Sequence, residues 1–305
     1  MAEKGIPPDK LAWHLQRNAA AIEVWRGVTK QQRVNFGNDN EAEIRLQANQ
    51  GNAGVQTYFV EWVSNQAQPL TATLTFEARM GNQVVSSDNV TFYRFQSVVI
   101  VIGGYTQDNP TLIENDAIND QAGIYRLATW LYRDYGYDVH VFGEHEQNAP
   151  RGDGTAYETL AHAANHHNQT RAIILGFSFG GGATHNLAHF ISQVRQGRVQ
   201  GQALPNNFFL AFTAYIDAIR HRVIRRSPPP EDRRPEGSQY HVAYFQTADN
   251  TLWLIRGAPT ANADVNMDVN NPRIADRELW HSTIDDSIEV LQDLCEYIVH
   301  RANIR

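Results

Sequence analysis

A serine, a histidine and several aspartates, far apart along the chain, are the residue types whose pattern could do chemistry. The serine comes first. Residues 171–183 read Arg-Ala-Ile-Ile-Leu-Gly-Phe-Ser-Phe-Gly-Gly-Gly-Ala: an apolar run meets Gly176-Phe-Ser178-Phe-Gly180, and small residues follow. The pattern predicts a strand, a sharp turn and a helix, with Ser178 at the apex. At such a turn the serine backbone is strained. Side chains two positions to either side would collide with the neighbouring strand and helix, which is the steric reason for Gly176 and Gly180. A hydroxyl at the apex is a candidate nucleophile, and the Phe179 amide can face a developing oxyanion. A Gly-rich strand-to-helix turn can also cradle a phosphate, so the motif alone leaves a second chemistry open. Asp217 and Asp249 each follow an apolar run, and His281 stands in Trp280-His-Ser-Thr-Ile284. In the order Ser…Asp…His, an imidazole can take the serine proton while a carboxylate holds the imidazole tautomer.

Groups so distant in sequence meet only if regular elements carry them. From Ser97 onward the composition alternates between strand and helix. Val98-Val-Ile-Val-Ile102 is a continuous β-branched run of the kind buried on both faces of a sheet, and it ends in Gly103-Gly104-Tyr105. Residues 120–135 carry helical spacing, 137–142 read as a strand, 155–167 as a helix and 171–177 as the strand before Ser178. A helix is expected to about Arg195, then strands over 208–216 and 241–247, with 252–255 as a candidate last strand. His281 is expected to feed directly into a helix striped by Ile284, Ile288, Leu291, Leu294 and Ile298, capped by Ser282 or Thr283. This alternation implies a mostly parallel sheet covered on both sides.

Residues 1–96 read differently. Leu70, Ala72, Leu74, Phe76 and Ala78 alternate with Thr71, Thr73, Thr75, Glu77 and Arg79; Tyr58, Val60 and Trp62 form another alternating set, as do Ile44, Leu46 and Ala48. Gly37-Asn38, Gly51-Asn52 and Gly81-Asn82 supply turns between the runs. The expectation is an antiparallel β-sandwich, broadly immunoglobulin-like, with residues 9–20 open to a helical start. The chain is thus read as two domains, an accessory sandwich over 1–96 and an α/β domain over 97–305.

The net charge of −7 gives no general attraction to nucleic acid or anionic membrane, and no run of 18 apolar residues is present. The single cysteine, Cys295, excludes an intrachain disulfide and falls on an apolar helical stripe, as a packed thiol does. The N-terminus shows no apolar signal region, so a soluble chain is expected, with its compartment open.

With these residues in place, 97–305 resembles an α/β-hydrolase, nearest to bacterial lipases and esterases. The resemblance rests on the Ser178 elbow, the chain order of the triad candidates and Gly103-Gly104-Tyr105, which stands where that family has an oxyanion loop, with Gly103 in place of a frequent His. It implies Ser178 as nucleophile, His281 as base, and oxyanion donors at the amides of Phe179 and Tyr105, with Gly104 next. It places the acid at Asp217, since Tyr215-Ile-Asp217-Ala resembles the acid turn of lipase-like members, or at Asp249, with Asp264 and Asp268 as lesser candidates; Asp217 is the first choice. The implied function is a serine carboxylic-ester hydrolase without cofactor or metal, acting on small-molecule or lipid esters. A peptidase, thioesterase or acyltransferase shares the acyl-enzyme and is the alternative. A silent binding protein on the same scaffold is the alternative of another class, and the partner of the sandwich is open.

Two further features are weighed. His162 with His166, and His185 with His189, have the i,i+4 spacing of zinc ligands but lack the Glu of H-E-x-x-H, and read as surface or satisfied histidines. Residues 218–240 carry Arg220, Arg222, Arg225, Arg226, Arg233 and Arg234, expected to be a solvated basic loop, with an anionic substrate group as the sharper alternative.

Overall fold

A computed structural model describes residues 12–18, 22–26, 32–44, 58–62, 71–93, 95, 97–104, 123–145, 155–220, 229–247 and 255–301. The chain divides into two compact units, Met1–Arg94 and Phe95–Arg305. The first contains β1 (Ala12–Arg17), β2 (Ile22–Arg26), β3 (Gln32–Arg33), β4 (Glu41–Ile44), β5 (Tyr58–Trp62), β6 (Thr71–Met80) and β7 (Gln83–Tyr93). They form two antiparallel sheets, β4-β1-β6-β7 and β3-β2-β5. Leu15, Ala72 and Leu74 from one sheet and Ile22 and Val24 from the other bury together, with Tyr58, Val60 and Trp62 packed against them. The alternation of β6 is therefore the pleat of a half-buried strand, and the unit is a sandwich. The open reading of residues 9–20 resolves as a strand over Ala12–Arg17. β1 is paired on both edges, by β4 and β6, and that pairing overrides its local ambiguity.

Among the described residues the second unit has six strands, β8 (Ser97–Ile102), β9 (Asp138–Phe142), β10 (Arg171–Phe177), β11 (Phe209–Ile216), β12 (His241–Phe245) and β13 (Val265–Asp268), with helices α1 (Gly123–Arg133), α2 (Ala156–His166), α3 (Phe179–Arg195) and α4 (Ile288–Glu296). The sheet order is β13-β12-β11-β10-β8-β9, and every pairing is parallel. α1 and α4 cover one face, where Leu127, Leu131, Leu291 and Leu294 bury with Val99, Val101, Ile173 and Leu175. α2 and α3 cover the other, where Leu160 and Leu187 bury with Val98, Ile100 and Ile174. That is why β8 is apolar from Val98 to Ile102 and buried throughout: both of its faces are inside. Among the described residues no helix is long and apolar enough to cross a membrane.

Three expectations shift. The last strand is Val265–Asp268; of 252–255 only Ile255 lies among the described residues, and it is not in a strand. β13 escaped notice because Val265-Asn-Met-Asp is only half-buried and short, without an apolar run. Second, His281 does not lead straight into a helix. Residues 281–286 form turns, and α4 starts at Ile288, capped by Ser287, whose Oγ accepts the Val290 N–H. Thr283, one of the expected caps, instead closes the turn, its Oγ1 accepting the Trp280 N–H at 3.0 Å. Third, Arg220, Arg233 and Arg234 are ion-paired with Asp232, Glu231 and Asp264 at 2.9, 2.7 and 2.8 Å while their side chains stay partly exposed. Arg222, Arg225 and Arg226 lie outside the described residues.

Candidate active site

All carboxyl ends of a parallel sheet lie along one edge. The strand order reverses between β8 and β10, because β9 lies outside β8 and the chain then crosses back. Ligand crevices in open α/β sheets form at such a switch point. The register makes the placement specific. Gly176 pairs with Ile102, and Phe177 with Ile216, so Gly104, Ser178 and Asp217 emerge side by side from β8, β10 and β11.

Ser178 joins β10 directly to α3. Its backbone takes φ 55° and ψ −124°, a conformation that costs a non-glycine residue about 1–3 kcal/mol. The strain redirects the side chain. A serine at a helix N-cap ordinarily accepts from the first-turn amides, but Ser178 makes no such bond, and its Oγ lies 2.9 Å from His281 Nε2. The close quarters explain the glycines. A Cβ on Gly180 would sit 2.2 Å from the Ile102 carbonyl oxygen, and one on Gly104 would sit 2.9 Å from Ser178 Cβ. The segment after β8 therefore passes against the nucleophile candidate, as an oxyanion loop must. Phe179 is the first residue of α3, and Tyr105 lies outside the described residues.

Asp217 directly follows β11, also at positive φ (45°), and is fully buried. Its Oδ2 lies 2.6 Å from His281 Nδ1. Its Oδ1 accepts the Gly257 N–H at 2.6 Å and the Gln246 N–H at 3.2 Å, and the Gln246 carboxamide donates to Oδ2 at 3.3 Å. Backbone and side-chain donors thus replace the water that a buried carboxylate loses. With Asp217 Oδ2 accepting a hydrogen bond from Nδ1–H, Nε2 is left as the acceptor for the Ser178 hydroxyl.

His281 is held from three sides. Its ring stacks on Phe177 with centroids 5.3 Å apart. Asn270, just past β13, clamps the preceding backbone by accepting the Leu279 N–H at 2.8 Å and donating to the Leu279 carbonyl at 2.7 Å. Thr283 closes the turn as described. The imidazole remains 15% exposed, whereas Asp217 is sealed and Ser178 is buried.

Of the sequence candidates, the structure brings together Ser178, Asp217 and His281. Asp249 lies outside the described residues. Asp264 accepts the His241 N–H and pairs with Arg234, while Asp268 bonds Thr247. Gln246, Gly257 and Asn270 were not singled out. For Gln246 a signal existed: it is the polar residue that ends an apolar strand neighbouring the one that ends in Asp217. The His162 and His166 rings lie 4.5 Å apart beside a cleft of about 560 Å³ lined by Asp138, His140, Glu158, His162 and His167, which Ser178, Asp217 and His281 do not border. Among the described residues no three His, Cys, Asp or Glu side chains are grouped to hold a metal ion. Cys295 is buried in α4, and burial pushes its thiol up to about 11, away from nucleophilic use.

No protein-family model matches the chain, and no curated protein matches it. Among solved structures it is similar to one described as RedJ with a PEG molecule bound in the active site, at 12% identity over 67% of this chain and 91% of that one, with a TM-score of 0.30. A superposition that loose carries no weight for function. The chemistry rests on the geometry.

Proposed function

We propose that this chain is a serine hydrolase of carboxylic esters, built on an α/β-hydrolase scaffold with an immunoglobulin-like accessory sandwich. The observation that carries the reading is the continuous array of Asp217 Oδ2, His281 Nδ1, His281 Nε2 and Ser178 Oγ, at 2.6 and 2.9 Å, ending on a serine held in a strained strand-to-helix elbow. His281 Nε2 takes the hydroxyl proton as Ser178 Oγ forms a bond to the ester carbonyl carbon. The carbonyl electrons move to oxygen, and the tetrahedral oxyanion is met by the Phe179 amide at the positive end of α3, with a second donor from the segment after Gly104, first choice Tyr105. Each such donor contributes about 3 kcal/mol of transition-state stabilisation. The intermediate collapses as the imidazolium gives its proton to the departing alkoxide. Water then repeats the sequence on the acyl-enzyme, releasing the carboxylic acid and restoring Ser178. Asp217 stays ionised throughout, fixing the tautomer and stabilising the imidazolium.

The test is covalent labelling. A fluorophosphonate probe is expected to modify the wild-type protein at Ser178 and to leave Ser178→Ala unmodified. Failure of the wild type to label, with p-nitrophenyl esters of several chain lengths also uncleaved, overturns the reading. Faster turnover of thioester or peptide substrates than of those esters keeps the acyl-enzyme and moves the substrate class.

A further inference from the structure

Resting on the hydrolase reading, we propose that Gln246 is a positioning residue of this site: its side chain holds the Asp217 carboxylate and sets how strongly that carboxylate supports the charged form of His281. Gln246 follows β12 and is fully buried. Its carboxamide nitrogen lies 3.3 Å from Asp217 Oδ2 and 3.5 Å from the Ile255 carbonyl oxygen. Both neighbours are acceptors, so the amide can point only its NH2 group toward them. Oδ2 is also the oxygen that faces His281 Nδ1. One carboxylate oxygen therefore serves two donors, and each makes it a weaker acceptor for the other. A donor on Oδ2 stabilises negative charge there whether or not the imidazole is protonated. It thereby lessens the extra stabilisation that the imidazolium draws from the same oxygen. Gln246 thus tempers the support that Asp217 gives to the imidazolium, and the neutral imidazole is the form able to take the Ser178 proton. The Gln246 and Gly257 amides on Oδ1 hold the other end of the carboxylate and survive any side-chain change at 246.

The sign of the effect is determined. Removing the carboxamide leaves Oδ2 to His281 alone, and the acidic limb of activity is expected to move to higher pH by about half to one unit. Among the described residues, the other charged groups on the joining segments are Arg256 beside Gly257, Asp268 at the end of β13, Arg273, Asp276, Arg277 and Glu278 ahead of His281, and Asp285 and Asp286 after it. They are common to wild type and variant, so the difference between the two profiles isolates Gln246.

The experiment uses the full chain. The rate of fluorophosphonate labelling of Ser178 is followed from pH 5 to 9 in wild type, Gln246→Leu and Gln246→Met, and the His281 imidazole is titrated by NMR in each. The expected result is a midpoint raised by half to one unit in both variants, by both readouts. A midpoint unmoved within 0.2 of a unit, with the rate merely lowered, assigns Gln246 to packing and overturns the proposal. A measurement on the wild type stands if the variants fold poorly. The Gln246 side-chain amide resonances should shift with the His281 midpoint, and resonances constant through that titration likewise overturn it. The two readings separate cleanly. Absence of labelling at every pH sinks the hydrolase assignment, whereas labelling with an unmoved midpoint sinks only the role of Gln246.

Discussion

Two residues in this site accept backbone strain to aim their side chains. Ser178 and Asp217 both sit at positive φ, at the ends of adjacent strands, where asparagine or glycine would be more comfortable. Asp217 also gathers donors from Gly257, Gln246 and His281 on its two oxygens. An asparagine there keeps the shape but has one acceptor oxygen, so an N–H must face an NH2 group, and the imidazole loses the charge that selects its tautomer. Asp217→Asn is expected to lower kcat by about 10³–10⁴-fold while the fold persists, measured with an activated ester beside circular dichroism. Asp249→Asn should change it little, and the reverse ranking would move the acid. A second titratable group concerns stability rather than chemistry. His241, at the start of β12, is fully buried against Tyr215, and burial pushes it down to about 3 from an ordinary value near 6.5. Below pH 6.5 the unfolded chain therefore binds a proton that the folded chain refuses. Stability should fall with pH between about 6.5 and 3, by about 1.4 kcal/mol per unit from this group, and level off below. Urea melts across that range should show a shallower decline in His241→Gln than in wild type.

At the scale of elements, local signals and long-range packing divide the work. α2 begins with a capping box: the Thr155 hydroxyl accepts the Glu158 N–H while the Glu158 carboxylate accepts the Thr155 N–H. Thr155→Ala removes half of it and should cost about 1 kcal/mol, lowering the melting temperature by a few degrees without touching Ser178 labelling. Such signals are short-range, and so β8, β10, β11, α2 and α3 were all legible to within a residue or two. β13 was not, because a half-buried edge strand needs no continuous apolar run. The delayed start of α4 was missed for a related reason: Ile284 sits on the helical stripe and is buried, but it is buried in a turn. Burial periodicity reports which residues face inward and is silent on whether the backbone between them is helical.

For the molecule as a whole, the consequence of an all-parallel sheet is that its carboxyl ends share an edge, so the groups that follow β8, β10, β11, β12 and β13 form one row. The buried residues of the two cores on either side of that sheet all lie at or beyond Val98, and the sandwich has a core of its own. A fragment spanning Phe95–Arg305 is therefore expected to fold and to keep Ser178 reactive toward a fluorophosphonate; an unfolded fragment by circular dichroism would show that it depends on the sandwich. By itself, the amino-acid order determined the fold class, the elbow at Ser178 and the candidacy of His281, because glycine spacing, β-branched runs and turn residues act over a few positions and can be read there. It left the acid open between two aspartates that each follow an apolar run. Only the pairing of Phe177 with Ile216 puts Asp217 beside the serine, and only packing brings Gln246 and Gly257 onto its oxygens. Strand register is a relation between distant segments, set by how side chains fill the space between sheet and helices, and no local pattern encodes it.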